Sequence, residues 1–205
     1  MPTIVDCDQN SEAWLKARMG RPTASQFATV MAKGKGGGES VTRRKYLYQL
    51  AAEIVSGEPS ETYSNAHMQR GHEMEPDARN AYAFLKDAQP RQVGFVHNDI
   101  AGASPDSLIG DKGLLEIKTK LPALLVECIM SGEFPSEHKA QCQGALWVCE
   151  REWIDLCVFW PKLPLFVVRA YRDDVYIAGI VRAVREFNDE LATVVEKLRR
   201  YEEAA

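Results

Sequence analysis

The chain has 205 residues, of which 45% are hydrophobic and 26% charged, the composition of a globular protein with a substantial core. No apolar run approaches the ~18–20 residues of a membrane span, and the first ten residues lack the basic and apolar regions of a secretory signal. The five cysteines show no C-x-x-C spacing, which disfavours a disulfide framework and a zinc or iron–sulfur site. We therefore expect a cytoplasmic protein.

The charges are unevenly distributed along the chain. Residues 1–50 carry eight Lys and Arg against four acids, a balance of +4, and because the whole chain is at −4 the remainder is at −8. Such an asymmetry is typical of a basic groove on an otherwise acidic protein, and equally of ordinary charged helix faces. The net charge alone does not indicate a nucleic-acid binder.

Helical patterns occupy the first half of the chain. Thr23 or Ser25 is predicted to cap the second of these helices, and Pro76 is expected in the first turn of the fourth, where proline is tolerated. Apolar spacing and stop signals predict the helices over residues 10–20, 21–34, 41–58 and 72–87.

Strand patterns appear in the second half, interleaved with helices. Alternating apolar residues predict strands over residues 91–99, 114–120, 152–160 and 165–171. Helical spacing predicts helices over residues 122–132, 136–150 and 173–201. This layout predicts one α/β domain, with a mixed central sheet flanked by crossover helices and closed by a long helix.

The stretch ASPDSLIGDKGLLEIKTK, residues 103–120, holds an unusual set of charges. In a strand, Glu116 and Lys118 at i and i+2 point to the same face, while the apolar residues between them point to the other. Asp106 precedes the glycine-containing turn that leads into this strand. If the segments on either side of the turn pair, Asp106 approaches Glu116 across the hairpin.

Two close carboxylates repel each other, so one must take a proton or a cation must lie between them. Mg²⁺ prefers oxygen ligands, and the carbonyl of Ile117 is a further possible ligand. Lys118 could orient or deprotonate an attacking water and stabilise a charged transition state. The alternative is a surface hairpin with an ordinary Glu–Lys contact, because E-x-K by itself is common.

The PD…EIK pattern resembles the signature of the PD-(D/E)xK nuclease superfamily. Four segments in order, over about residues 10–160, resemble more specifically the phage lambda exonuclease type, the YqaJ-like viral recombinases. These segments are WLKARMGRPTAS (14–25), RGHEMEPDAR (70–79), SPDSLIGDKGLLEIK (104–118) and AQCQGALWV (140–148). The resemblance implies a restriction-endonuclease-like core preceded by a helical part.

Roles for the central residues follow from this resemblance. It implies that Asp106, Glu116 and the Ile117 carbonyl bind Mg²⁺, with Mn²⁺ as a substitute, and that Lys118 is the catalytic lysine. Glu75 would reach the site from a helix and bind the metal or its water. Glu73 competes with Glu75 in register, and a solvated glutamate in the first helical turn is the simpler alternative for Glu75. The chain departs from the family at Ser107, where glycine is frequent.

Substrate-binding residues are implied in the same way. Arg18 and Ser25 match residues that grip the 5′-phosphate of a DNA end, which suits the forked donors of arginine and a hydroxyl near a helix start. Gln141 and Gln143 would face the site or the strand being cut. The alternatives are an exposed helix arginine, an N-cap serine and a polar helix face.

The resemblance also implies a function. It implies a Mg²⁺-dependent 5′-to-3′ exonuclease that degrades linear double-stranded DNA to mononucleotides and leaves a 3′ single strand. Family members are homotrimeric rings that work with a single-strand annealing protein, here in a phage or prophage context within the bacterial cytoplasm. The expected organisation is a single nuclease domain over residues 1–205, with a helical DNA-end-binding part (1–60) and a catalytic core (61–205). The alternatives are a PD-(D/E)xK endonuclease of restriction or repair type and a non-catalytic DNA-end-binding protein.

Overall fold

The structure is a computed structural model that describes residues 1–38, 40–60 and 66–203. No helix within these ranges combines the length and the apolar character needed to cross a membrane. The strands are β1 (Thr3–Val5), β2 (Pro90–Arg91), β3 (Phe95–His97), β4 (Gly102–Ala103), β5 (Ser107–Ile109), β6 (Gly113–Thr119), β7 (Trp153–Phe159) and β8 (Phe166–Tyr171). The α-helices are α1 (Glu12–Arg18), α2 (Phe27–Val30), α3 (Val41–Ser56), α4 (Ala66–Lys86), α5 (Pro122–Ser131), α6 (Lys139–Val148) and α7 (Asp174–Glu203).

The strands form a mixed five-stranded sheet and a small three-stranded one. The larger sheet has the order β2-β5-β6-β7-β8, and the smaller has the order β1-β3-β4. Strands β6 and β7 are parallel, and the other neighbours in the larger sheet are antiparallel. A parallel pair requires a long crossover connection, which α5 and α6 supply. The predicted α/β architecture with a mixed central sheet is confirmed.

The two faces of β6 pack against different helices. Leu115 and Ile117 lie in a small apolar cluster with Ala78 and Tyr82 of α4. Leu114 belongs to the main core, together with side chains from the first sixty residues and from α6 and α7. The face that carries the even-numbered residues therefore lies towards α6, and α4 covers the opposite face. This division determines which helix can reach Glu116 and Lys118.

The predicted second helix, over residues 21–34, is replaced by two short helical turns. Residues 24–26 form a 3-10 turn, and α2 is only four residues long. Thr23 precedes the turn without a side-chain cap bond; its N–H donates to the Tyr46 hydroxyl and it bridges Gly102 of the small sheet. Thr23 therefore stands at the predicted N-terminal position, but without a side-chain cap, and the predicted continuous helix is wrong.

Three further predictions about elements need correction. Helix α4 begins at Ala66, so Pro76 lies inside the helix and not in its first turn. The expected strand over 91–99 is divided between two sheets at Gly94, where a side chain would lie 2.3 Å from the Cys7 carbonyl oxygen. Cys7 follows β1, a strand that was not predicted from the sequence. Residues 1–60 are thus not purely helical.

Gly144 of α6 provides a test of this packing. A Cβ at this position would lie 2.2 Å from Cδ2 of the fully buried Phe27, so we expect Gly144→Ala to lower the free energy of unfolding by about 1–3 kcal/mol. Gly179 of α7 is the matched control because a Cβ there meets nothing within 4 Å, and Gly179→Ala should stabilise by about 0.5–1 kcal/mol through helix propensity. Urea denaturation measures both, and equal effects would contradict the close Phe27 contact.

Candidate active site

The β5–β6 hairpin brings Asp106 to the middle of β6. Ser107 is paired with Leu115 in the antiparallel register, so Asp106, one residue before β5, lies beside β6 just past Leu115. Its Oδ2 accepts a hydrogen bond from the Ile117 N–H at 2.5 Å. The carboxylate is thereby held at the backbone between Glu116 and Lys118.

Glu116 is buried at the centre of this arrangement, with 3% of its surface exposed. The Lys118 Nζ donates to Glu116 Oε1 at 2.6 Å, as expected for side chains on one strand face. Gln141 of α6 donates through Nε2 to the same oxygen at 2.5 Å. One carboxylate oxygen therefore joins the strand lysine and the helix that covers this face.

The charges in this cluster perturb one another. Burial raises the pKa of Asp106 well above its usual value, and the neighbouring charges of Glu116 and Glu75 raise it further, while Lys118 and the Ile117 N–H act in the opposite direction. Burial alone would lower the pKa of Lys118, but the charges of Glu116 and Asp106 outweigh it and raise the pKa. The site therefore holds an excess of negative charge around one ammonium.

Helix α4 contributes Glu75 and not Glu73. The charge of Glu75 contributes to the raised pKa of Asp106. A carboxylate oxygen of Glu75 lies 3.9 Å from Nδ1 of His72. Glu75 also accepts a hydrogen bond from Arg79, one turn further along the helix. Glu73 is exposed to solvent. Helical periodicity separates the two glutamates by about 200° around the axis, so only one can face the sheet.

The structure does not bring Gln143 to the site. Gln143 is buried and donates to the Tyr171 carbonyl at 2.8 Å, while its oxygen accepts from the Asp173 N–H at 2.8 Å. Gln143 therefore does not face Glu116 alongside Gln141, because residues i and i+2 of a helix point about 200° apart. Gln143 instead joins the end of β8 to the start of α7.

A cavity of about 200 Å³ connects the carboxylates to the N-terminal part of the chain. Its lining includes Asp106, Glu116 and Gln141 together with Arg18 and Ser25. Burial lowers the pKa of the Arg18 guanidinium, although arginine keeps its charge at any physiological pH. A desolvated cation in the same cavity as the carboxylates is suited to hold an anionic group of a bound molecule.

The hydrogen-bond and ring contacts of Arg18 are with neutral groups, and the charge of Glu53 only partly offsets the lowering of its pKa by burial. Its Nη1 donates to the Ser104 hydroxyl at 3.4 Å, and its guanidinium carbon lies 3.9 Å from the centre of the Trp14 ring. Among the described residues it forms no ion pair with a carboxylate. Ser25 is exposed, and its Oγ lies 3.4 Å from the Thr23 hydroxyl. The guanidinium therefore has charge available for an external anion.

Sequence reasoning missed Ser104 and the polar role of Trp14. The Trp14 Nε1 donates to Ser104 Oγ at 2.9 Å and to the Gly94 carbonyl at 3.1 Å. Ser104 lies two residues before Asp106, so the loop that supplies the carboxylate also supplies a hydroxyl to the cavity. Ser104 directly precedes the Pro105-Asp106 motif, and this position could have indicated that its hydroxyl lies near the site.

The residue set suits a hard divalent cation. Within the described ranges no group of three His, Cys, Asp or Glu side chains is arranged as a metal site, and Glu75 is bonded to Arg79. Two carboxylates nevertheless line one cavity, and the pKa of Asp106 is raised first by its burial and then by the charge of Glu116. Oxygen donors with an uncompensated negative charge are what Mg²⁺ and Mn²⁺ prefer. Asp106 and Glu116 therefore fit such an ion.

Comparisons with known proteins agree on one family. Residues 13–152 match the YqaJ-like viral recombinase domain. The fold is similar to that of an alkaline exonuclease from Laribacter hongkongensis, with 36% identity over 95% of this chain and 99% of that chain and a TM-score of 0.85. The same enzyme in complex with dAMP matches at 35% identity over 95% and 100% of the two chains, again with a TM-score of 0.85.

A more distant structure supports the fold alone. A phage-related exonuclease from Haemophilus somnus matches with a TM-score of 0.66 and 14% identity over 87% of this chain and 96% of that chain. Comparison with curated protein sequences gives no significant match.

Proposed function

The chain belongs to the YqaJ-like viral recombinase family, and from this premise we propose that it is a Mg²⁺-dependent exonuclease that degrades linear double-stranded DNA in the 5′-to-3′ direction. The family membership makes it a nuclease that acts on DNA. The polarity, the metal and the preference for 5′-phosphorylated ends are inferred from the family together with the residues of the site. Release of mononucleotides would leave a 3′ single strand.

The cavity shared by Arg18 and the carboxylates is the observation that carries this proposal. A terminal 5′-phosphate held by Arg18, Ser25 and Ser104 would place the next phosphodiester along the cavity towards Asp106 and Glu116. Arginine recognises phosphate through paired donors, and Arg18 is desolvated, with neutral hydrogen-bond and ring partners. A terminal-phosphate site beside the carboxylates favours cleavage from an end.

The side chains around Glu116 would divide the chemistry between them. Asp106, Glu116 and the Ile117 carbonyl would hold the metal, which when bound supplies positive charge for the phosphodiester oxygens and acidifies water. Lys118 would orient the attacking water and stabilise the charge that develops on the phosphate. Gln141 would fix the Glu116 carboxylate through its bond to Oε1. Glu75 would hold a metal-site water from the α4 side.

The larger assembly is inferred from the family. We infer that residues 1–205 act as one nuclease domain, with 1–60 as the DNA-end-binding part, since side chains from both parts share one hydrophobic core. We further infer a homotrimeric ring that threads duplex DNA and works with a single-strand annealing protein in phage recombination. The basic balance of residues 1–50 suits a surface that faces DNA.

A digestion assay tests the function and the role of Arg18 together. With Mg²⁺, we expect loss of the 5′-phosphorylated strand of a linear duplex, slower digestion of the same duplex with 5′-hydroxyl ends, and an intact covalently closed circle. Arg18→Ala should reduce the rate at least about tenfold on 5′-phosphorylated ends, the size of one charged hydrogen bond, with little further effect on 5′-hydroxyl ends.

Other outcomes of this assay would exclude parts of the proposal. Cleavage of the circle would identify an endonuclease of the PD-(D/E)xK type. An equal loss on both kinds of end for Arg18→Ala would make Arg18 a general backbone contact or a structural residue. Lys16→Ala is a suitable control, because Lys16 lies on the same helix in an exposed pair with Glu12 and outside the cavity.

A further inference from the structure

We propose that Arg79 and Ser107 act as positioning residues that hold Glu75 and the Asp106 loop in register for metal binding, an inference that rests on the proposed function. The two residues lie on different elements, Arg79 on α4 and Ser107 at the start of β5. Neither reaches the metal space itself, and each acts through a carboxylate or its backbone.

Arg79 uses its guanidinium fork to join three segments of the chain. One Nη2 bond goes to Glu75 Oε1 on the same helix. The Nε donates to Ser107 Oγ at 3.1 Å. Gln92, in the amide orientation that satisfies both of its polar atoms, accepts from Nη1 and Nη2 at 3.1 Å. The side chain is 11% exposed, so these bonds are largely sheltered from water.

Ser107 extends this connection to the backbone of Asp106. Its hydroxyl accepts from Arg79 and donates to the Asp106 carbonyl at 2.5 Å. Ser107 is fully buried, and a hydroxyl can accept and donate at the same time. A relay of two hydrogen bonds therefore runs from the guanidinium to the residue whose carboxylate faces Glu116.

The relay counteracts the repulsion between carboxylates in a site with excess negative charge. The charges of Glu116 and Glu75 both repel that of Asp106, and this repulsion favours movement of the Asp106 loop away from them in the metal-free protein unless other bonds hold it. Arg79 brings a positive charge to Glu75 and also bonds to Ser107, so it ties helix α4 to the start of β5. Outer groups of this kind set the orientation of metal-binding carboxylates.

Lysine could not reproduce this arrangement. The guanidinium presents five donors in a planar fork, whereas an ammonium is a compact charge with three freely rotating donors. A glycine at position 107 would remove the hydroxyl and leave Arg79 only the long direct bond from Nη2 to the Asp106 carbonyl, at 3.5 Å. The serine therefore adds a second, shorter connection between Arg79 and the Asp106 backbone.

Mn²⁺ binding to the metal-stripped protein, measured by isothermal titration calorimetry, tests the proposal without turnover. We expect Arg79→Gln, Arg79→Lys and Ser107→Ala each to raise the Mn²⁺ dissociation constant by about 10- to 100-fold. Because the two side chains belong to one relay, the Arg79→Gln/Ser107→Ala double variant should bind more tightly than the product of the two single effects predicts.

Arg169→Gln is the matched control. Arg169 makes two bonds to the buried Asp155, at 2.7 and 2.9 Å, and among the described residues no hydrogen bond or ion pair joins it to Asp106 or Glu75. We expect it to lower the melting temperature and leave the Mn²⁺ dissociation constant within about twofold. Wild-type Mn²⁺ affinity in both Arg79→Gln and Ser107→Ala would overturn the relay and leave the proposed function standing. Absence of Mn²⁺ binding to the wild-type protein would overturn the metal site and the relay together.

If Arg79→Gln does not fold, Ser107→Ala and Arg79→Lys decide the outcome. Ser107→Ala removes the hydroxyl and nearly keeps the side-chain volume, and Arg79→Lys removes the guanidinium fork and keeps the charge. An unchanged dissociation constant in both would overturn the proposal, and a 10- to 100-fold increase in both would support it.

Discussion

Lys118→Ala is expected to lower the single-turnover cleavage rate by about 10³-fold or more while DNA affinity changes little. Lys118 donates to Glu116 at 2.6 Å, and the charges of Glu116 and Asp106 favour its protonated form. Its ammonium would be most valuable when charge develops on the phosphate in the transition state, and loss of one such donor typically costs 10²–10³-fold. Loss of the water-orienting role adds to this effect.

Single-turnover kinetics on 5′-phosphorylated duplex, with fluorescence anisotropy for DNA binding in Ca²⁺, separates the two effects. Lys120→Ala is the control. Lys120 follows Lys118 by two residues and has its own partner, the Glu137 carboxylate at 2.6 Å, so its loss should leave the cleavage rate at saturating DNA within about threefold. Retained turnover in Lys118→Ala would remove Lys118 from the mechanism.

Asp106→Asn is expected to abolish metal-dependent cleavage and at the same time stabilise the metal-free protein. The amide keeps an oxygen that can accept from the Ile117 N–H, but it removes a charge that Glu116 and Glu75 oppose. We expect activity to fall by about 10³-fold, equivalent to about 4 kcal/mol of transition-state stabilisation. Mn²⁺ should no longer raise the melting temperature.

The stability change should depend on pH in a defined direction. Because the folded-state pKa of Asp106 lies above its unfolded value, the folded protein binds the proton more tightly, and stability from this group falls as pH rises from the unfolded pKa towards the raised one. Wild-type protein in EDTA should therefore lose stability over this range relative to Asp106→Asn. Each kcal/mol corresponds to about 2–4 °C in melting temperature for a chain of this size.

Glu73→Gln controls for the loss of one negative charge. Glu73 is an exposed residue of α4, so its substitution should change neither Mn²⁺ stabilisation nor cleavage. Thermal melts with and without Mn²⁺ at several pH values, together with the digestion assay, measure all three proteins. An Asp106→Asn variant that binds Mn²⁺ like the wild type would exclude Asp106 as a ligand.

The hairpin was predictable because its information is local. Alternation along LLEIKTK places Glu116 and Lys118 on one face whatever the sheet around them. The glycine-containing turn then returns the chain so that Asp106 meets β6, and the register of Ser107 with Leu115 agrees with this expectation. Elements with strong periodicity, such as β7, β8 and α7, were likewise predicted close to their observed bounds.

Helix faces were harder to predict than helices. The motif around α6 contains two glutamines, and both were expected to face the site or the strand being cut. Only Gln141 reaches Glu116, while Gln143 turns to the Tyr171 carbonyl and the Asp173 N–H. The choice between them depends on which side of α6 packs on the sheet, and that rotation is fixed by core residues such as Leu146.

By itself the sequence determined the charged strand, the order of helices and strands, and the type of chemistry, because side-chain periodicity and donor type are properties of neighbouring residues. Only the tertiary structure decided that Arg18 shares a cavity with Asp106, that Ser104 lies beside Arg18, and that Arg79 reaches Ser107. These contacts join residues far apart in the chain, and their formation depends on the packing of α1 and α4 around the sheet, which no local pattern encodes.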